Sequence, residues 1–196
     1  MAEKSFPLEN TVYNAEDAAL WFATRASGVY ANDELAVKAA GGMYVAVEIG
    51  MAWLAYKRFA GVAYANTEET TLKIGEANRS YPRIDRVVVR YDKALNNVAL
   101  AVVAGTAHQS PVPPEIARNE NTYEISLAQV YVGAGITEIT TANITDERAD
   151  ESVCGWMTDG VKRLIVKGVD YWTPADKEEI INDVLTHFPN ASGVSF

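Results

Sequence analysis

Few residues in this chain could carry reactive chemistry. It holds two histidines, His108 and His187, and one cysteine, Cys154. His108 falls between Gly105 and Asn121, a stretch rich in Ser, Pro, Gln and Asn, where Pro111, Pro113 and Pro114 rule out regular pairing. His187 lies far along the chain in a helical pattern, so a histidine metal site or a Ser-His-Asp arrangement lacks partners at useful spacing. His108 is expected to face solvent. Cys154 precedes Gly155 and Trp156 without a neighbouring histidine or the positive surroundings that activate a thiolate, and reads as a small buried thiol. Asp146-Glu147-Arg148-Ala149-Asp150 clusters acidic groups, but a calcium loop of the common kind wants more oxygen ligands and a glycine at its sharp turn. No spacing singles out two carboxylates as a glycosidase pair, and no glycine-rich loop is built to cradle phosphate. The expectation is a non-enzymatic chain with no catalytic residue, no metal and no cofactor.

Two groups of residues remain as candidates for binding or structural roles. Trp53, Tyr56, Phe59 and Tyr64 crowd one region, and Trp53, Tyr56 and Tyr64 form a candidate platform for stacking on a glycan, although such rings more often pack in cores or interfaces. Asp85, Arg90, Asp146 and Arg148 form a candidate structural ion-pair network, with the Arg148 fork held by Asp146 or by Asp85 so as to tie a loop to a sheet.

These residues must be positioned by a mostly β framework. From Asn14 to Ala26 the pattern is helical: Asn14 can cap, Glu16 and Asp17 suit the first turn, and Ala15, Ala18, Ala19, Phe22 and Ala26 share a face. After Asp33 the period changes to two, with Leu35, Val37 and Ala39, then Met43, Val45, Val47 and Ile49, alternating around Gly41-Gly42. Ile84 to Val103 reads as a hairpin about Lys93–Asn97. In a strand Ile84, Arg86, Val88, Arg90 and Asp92 share one face, which is either solvated or packed onto carboxylates elsewhere. Tyr123, Ile125 and Leu127 alternate again, and Val130, Val132, Ile136 and Ile139 continue the β character. Beyond Gly160, a short β-like segment leads to Thr173-Pro174-Ala175-Asp176, a helix start, and to the stripe Ile180, Ile181, Val184, Leu185 and Phe188, a candidate interface stopped by Pro189.

At 196 residues, with 48% hydrophobic and 22% charged content, the chain fits an ordinary globular protein. A formal charge of -9 and no basic run argue against a nucleic-acid partner. No apolar run reaches the roughly 18 to 20 residues of a membrane span, so no membrane insertion is expected, and the amino terminus lacks a signal-peptide layout.

Arg83-Ile84-Asp85-Arg86-Val87-Val88 followed by Arg90 and Asp92, the Gly105 and Pro113-Pro114 loop, Tyr123-Glu124-Ile125-Ser126-Leu127-Ala128, Ile144-Thr145-Asp146 with Arg148, and Cys154-Gly155 together resemble the amino-terminal domain of phage tail-fibre and baseplate proteins of Gram-positive phages and prophage-derived tail-like particles. The similarity extends upstream through Gly28-Val29-Tyr30, Leu35-Ala36-Val37, Gly41-Gly42-Met43, Val47 to Gly50 and Ala52-Trp53-Leu54. It implies a structural component of a tail tip or baseplate that supports host attachment. The implied location is the virion or a tail-like particle after synthesis in the bacterial cytoplasm. The implied partners are copies of itself, a trimer favoured, and other tail or baseplate proteins. A carbohydrate-binding module recognising host-surface glycan is the alternative. Longer family members continue past the Cys-Gly segment into receptor-binding regions, whereas this chain stops at Phe196, which favours an adaptor role. The expected fold is a mainly β, antiparallel β-sandwich or jelly-roll-like body with an N-terminal helix and a C-terminal helix. Residues 1-160 form the β-rich attachment domain and residues 161-196 a short strand-helix extension.

Overall fold

The computed structural model describes residues 7–157 together with Glu178 and Asn182, and groups the chain into two compact units, Met1–Val161 and Lys162–Phe196. The first unit is mainly β. Its elements run α1 (Ala15–Ala19), β1 (Gly28–Val29), β2 (Val37–Ala39), β3 (Tyr44–Val47), β4 (Gly50–Lys57), β5 (Ala60–Asn66), β6 (Thr70–Lys73), β7 (Arg83–Asp92), β8 (Asn97–Val103), β9 (Thr122–Val132) and β10 (Ile144–Asp146). They form three antiparallel sheets ordered β1-β4-β5, β2-β3-β6 and β10-β9-β7-β8.

The two three-stranded sheets share the same passes of chain, since β1 leads to β2, β3 to β4 and β5 to β6. What separates them is a break at Glu48-Ile49-Gly50. There the loop before β2 supplies the hydrogen bonds, with Leu35 N–H donating to Ile49 O at 3.1 Å and Glu48 N–H to Ala36 O at 2.9 Å. On the other side the Asn66 amide donates to Val47 O at 3.1 Å and Glu48 O at 2.9 Å. Gly50 has φ 153°, and a Cβ on it would lie 2.5 Å from Glu34 Cβ and 2.8 Å from Leu35 N. Only glycine fits that approach without displacement.

Alternation in these strands builds one core. Val29, Leu35, Val45, Val47 and Leu54 meet Val87, Val89, Ile125, Leu127 and Val130 in a single buried cluster. Each such aliphatic side chain contributes about 1.5–3 kcal/mol on burial. The β7–β8 hairpin pairs Asp92 with Asn97 around a turn in which Asn96 takes φ 47°, as the Asn pair predicts. A bulge in the β7–β9 ladder, between Val87 and Val88, changes the register from Val87↔Ala128 to Val88↔Ser126. It shifts the phase of β9, so Ile125 and Leu127 and then Val130 and Val132 all point to the core, while Glu124, Ser126 and Gln129 fall on the opposite face.

The helical expectations need correction. The N-terminal helix covers Ala15–Ala19 rather than Asn14 to Ala26; Asn14 and Asp17 do make a capping box, but after Ala19 the backbone bonds tighten to three-residue turns, such as Trp21 N–H to Ala18 O. Of the five-residue face expected there only Ala19 is buried, too little packing to propagate a helix. The C-terminal stripe Ile180, Ile181, Val184, Leu185 and Phe188 lies outside the described residues; Glu178 and Asn182 are helical and exposed.

Gly50→Ala should destabilise the fold by about 1–3 kcal/mol, the scale of a strained backbone position. Urea unfolding of the two proteins measures it, and equal midpoints would contradict the close packing at the break.

Candidate functional site

The face of β7 that carries two arginines is packed onto carboxylates, not solvated. Glu147, immediately after β10, is 6% exposed and sits over that face. Its carboxylate accepts from Arg86 Nε at 3.0 Å and Nη2 at 2.9 Å, from Ser126 Oγ at 2.6 Å and from Gln129 Nε2 at 2.5 Å. The β9 bulge is what lets Ser126 and Gln129 reach one carboxylate together. Arg86 Nη1 donates in addition to Pro114 O at 2.6 Å, which pins the proline-rich loop across the sheet. Nearby, Arg90 Nε donates to Glu124 Oε1 at 2.5 Å, and the second oxygen of Glu124 accepts from Ala117 N–H at 2.7 Å.

The remaining pairs sit elsewhere. Asp85 is fully buried on the core side of β7 and accepts from Arg83 Nε at 2.8 Å and from Gly105 N–H at 2.9 Å. Arg83 continues to Gly75 O and Glu76 O, both at 2.6 Å. Arg148 grips Asp146 with Nε at 3.0 Å and Nη2 at 2.6 Å, and its Nη1 reaches Asn32 O at 2.9 Å and also Glu34 O. That bridge joins the loop after β10 to the loop between β1 and β2.

Thus the residues expected as one network, Asp85, Arg90, Asp146 and Arg148, belong to three separate pairs. Of the two carboxylates offered for Arg148, Asp146 holds it; Asp85 is taken by Arg83. The link from sheet to loop is made by Arg86 and Glu147, which sequence reasoning passed over. The signal available was the arginine-bearing face of β7 opposite Glu124 and Ser126, but it needed the bulge to be seen.

The three aromatic rings are not brought together. Trp53 points away from the core cluster and is buried under Phe22, ring centroids 5.8 Å apart, against Gly61, where a Cβ would lie 2.3 Å from the indole. Tyr56 and Tyr64 pack on the core side, Tyr56 against Tyr91 at 4.9 Å. A glycan platform of Trp53, Tyr56 and Tyr64 is therefore ruled out by the strand's alternation. His108 is exposed, its ring bonded to Ser110. Among the described residues no three His, Cys, Asp or Glu side chains converge as a metal site, and no helix is long and apolar enough to cross a membrane.

One pocket, of about 400 Å³, lies where three distant segments meet. Gly28 and Gly155 bring their backbones together, since a Cβ on Gly28 would lie 2.2 Å from Gly155 O, and Val29 N–H donates to that oxygen at 3.0 Å. Ser27, Arg118, Tyr123, Glu151 and Trp156 line the walls. Ser27 Oγ accepts from Ala55 N–H at 2.9 Å and lies 3.1 Å from the Tyr123 hydroxyl. Arg118 lies over the Tyr123 ring, 5.5 Å from its centroid, and donates to Ser152 O at 3.0 Å. Cys154 also borders the pocket, and burial pushes its thiol up to about 12, so it is no nucleophile near neutral pH. Compared with family models, with curated proteins and with solved structures, the chain matches none.

Glu147→Gln leaves Arg86 buried without a counter-charge and should cost about 3–5 kcal/mol in urea unfolding. Lys38→Ala, which removes the exposed pair with Glu48, should cost less than about 1 kcal/mol. Equal effects would mean that burial does not set the worth of these pairs.

The hydrogen bond from Arg148 holds the Asp146 carboxyl below the usual aspartate range. A depressed folded-state value adds stability that is present above the unfolded aspartate's titration and lost as pH falls through the folded one. Asp146→Asn should flatten that acid limb of the stability–pH curve. Cys154 has the opposite sign: its raised value means stability falls as pH climbs from the ordinary thiol range towards about 12. A thiol reagent should label Cys154 only when the chain is unfolded, and rapid labelling of the native protein would contradict the burial.

Proposed function

We propose that this chain is a non-enzymatic structural component of a phage tail tip or baseplate, an adaptor that supports host attachment and works as a homo-oligomer, a trimer favoured, among other tail proteins. The observation that carries the reading is where the resembling residues lie in the fold. Arg83, Asp85, Arg86, Glu124, Ser126, Asp146, Arg148 and Gly155 hold strands and loops in place through the contacts described above. Similarity concentrated in residues that set a fold supports a shared module more strongly than similarity in a short exposed motif. We take the module to be a two-layered β-sandwich, with the four-stranded sheet facing the two three-stranded ones across the common core. The negative formal charge of -9 suits a subunit that must avoid host nucleic acid during assembly.

Purified particles from an induced lysogen or a lysate should contain this chain by mass spectrometry, and deletion of its gene should give defective tails or lost adsorption. Particles lacking the chain, with normal tails and normal adsorption in the deletion, would remove the support for this reading.

A further inference from the structure

We infer that the open edge of β8 is a contact surface for a second copy of this chain, the two copies pairing their β8 strands antiparallel about Leu100. The contact is two-fold, so it goes beyond the assembly proposed above and does not rest on it. The direction of the backbone groups decides which residues can pair. Ile84 O lies against Gly105, where a Cβ would be 2.0 Å from it, and Pro82 O accepts from His108 N–H at 2.9 Å. Even-numbered residues of β7 therefore turn their N–H and C=O groups towards β8, and their partners Ala99, Ala101 and Val103 turn theirs back. Val98, Leu100 and Val102 are left with both groups pointing outward. Among the described residues no strand or loop backbone bonds to them there, since β8 ends its sheet. β5 and β6 approach β8 from the other sheets without such bonds.

The other edges are treated differently. Val29 of β1 is bonded on its outer side, donating to Gly155 O at 3.0 Å and accepting from Met157 N–H at 2.8 Å. β5 lies against α1, while β2, β6 and β10 are short and carry Lys38, Lys73 and Asp146. Cover, brevity and charge are the usual protections of a sheet edge. β8 has no such protection, for Asn97–Val103 holds no charged residue and no proline.

A second copy fits this edge because β8 is complementary to itself. With Leu100 opposite Leu100 of the second copy, Val98 faces Val102 and Val102 faces Val98, and every outward N–H and C=O of the three residues finds a partner. Ala99 then stands opposite Ala101, small enough to let the backbones meet, and no like charges are opposed in a chain of net charge -9. Val98, Leu100 and Val102 are only partly buried at the margin of the core, and a neighbouring strand covers their remaining surface. Pairing along one strand falls below the roughly 1,200 Å² of a standard interface, which makes this a weak, concentration-dependent association.

The test is a cross-link in the full chain. Ala99 and Ala101 of the two copies form a non-hydrogen-bonded pair, with Cα atoms about 4.5 Å apart, inside the range of about 4.4–6.8 Å that a disulfide spans. Mild oxidation of a mixture of Ala99→Cys and Ala101→Cys should give a covalent dimer with one chain of each, identified by mass spectrometry; Cys154, buried, stays out of the reaction. Either variant oxidised alone places its cysteines on the diagonal, about 7–8 Å apart, and should cross-link about tenfold less. Sedimentation equilibrium of the parent chain should show reversible association, weakened about tenfold or more by Val102→Pro, which removes one outward donor from each copy and no bond to β7. Proline is tolerated where its missing N–H faces away from the sheet. If that variant fails to fold, the cross-link decides alone, since it leaves the outward-facing residues intact. No mixed disulfide above the level of the single variants, or association that a folded Val102→Pro leaves unchanged, would overturn the assignment. So would a monomer that instead takes an extended peptide along β8. The contact can fail in any of these ways while the chain is still found in tail particles, and the reverse.

Discussion

A buried carboxylate on a sheet face is the constraint on which the rest of this molecule depends. Glu147 has almost no exposed surface, and removing such a charge from water costs several kcal/mol unless hydrogen bonds replace the lost hydration. Four donors from Arg86, Ser126 and Gln129 do so here. That requirement explains the β9 bulge, the only arrangement along the strand that puts Ser126 and Gln129 on the same face as Arg86. It also fixes the chain after β10, where Glu147 N–H donates to Leu127 O at 2.9 Å and Ser126 N–H to Val153 O at 3.0 Å. The loop is laid onto the sheet, and Cys154, Gly155 and Trp156 are delivered to Gly28 and Val29. The pocket exists because that delivery occurs.

The other pairs act in the same way on different joints. Arg148 ties Asp146 to the carbonyls of Asn32 and Glu34, and so joins β10 to the turn that carries Leu35 into the core. Leu35 takes φ 51°, an unfavourable conformation for a leucine, and its complete burial is what offsets that strain. Arg83 and Asp85 close the end of β7 against Gly75, Glu76 and Gly105. Guanidinium groups suit these joints because one fork can hold a carboxylate and backbone carbonyls together.

Strand content and the β7–β8 hairpin were legible in the sequence, because period-two alternation from Val45 to Val103 and the Asn pair at the turn are local signals. The bulge was not, since it shows only as a slip from Leu127 to Val130 in an otherwise regular pattern. With it went Glu147: among Asp146, Glu147, Arg148 and Asp150 nothing local marks which carboxylate is buried. The aromatic residues misled for a related reason. Proximity in sequence put Trp53 beside Tyr56, while alternation along β4 sends Trp53 and Leu54 to opposite faces. The pocket was invisible because its walls come from residues near 27, 120 and 155, which only the tertiary fold unites.

The central claim, that the Arg86–Glu147 pair couples loop to sheet as one unit, is tested most directly by a double-mutant cycle. Arg86→Met, Glu147→Leu and the double variant are compared with the parent by equilibrium unfolding in urea. The account predicts a coupling energy of about 2–3 kcal/mol, at the upper end for interacting residues, with the double variant less damaged than the sum of the singles. Additivity within about 0.5 kcal/mol, the behaviour of independent sites, would contradict it.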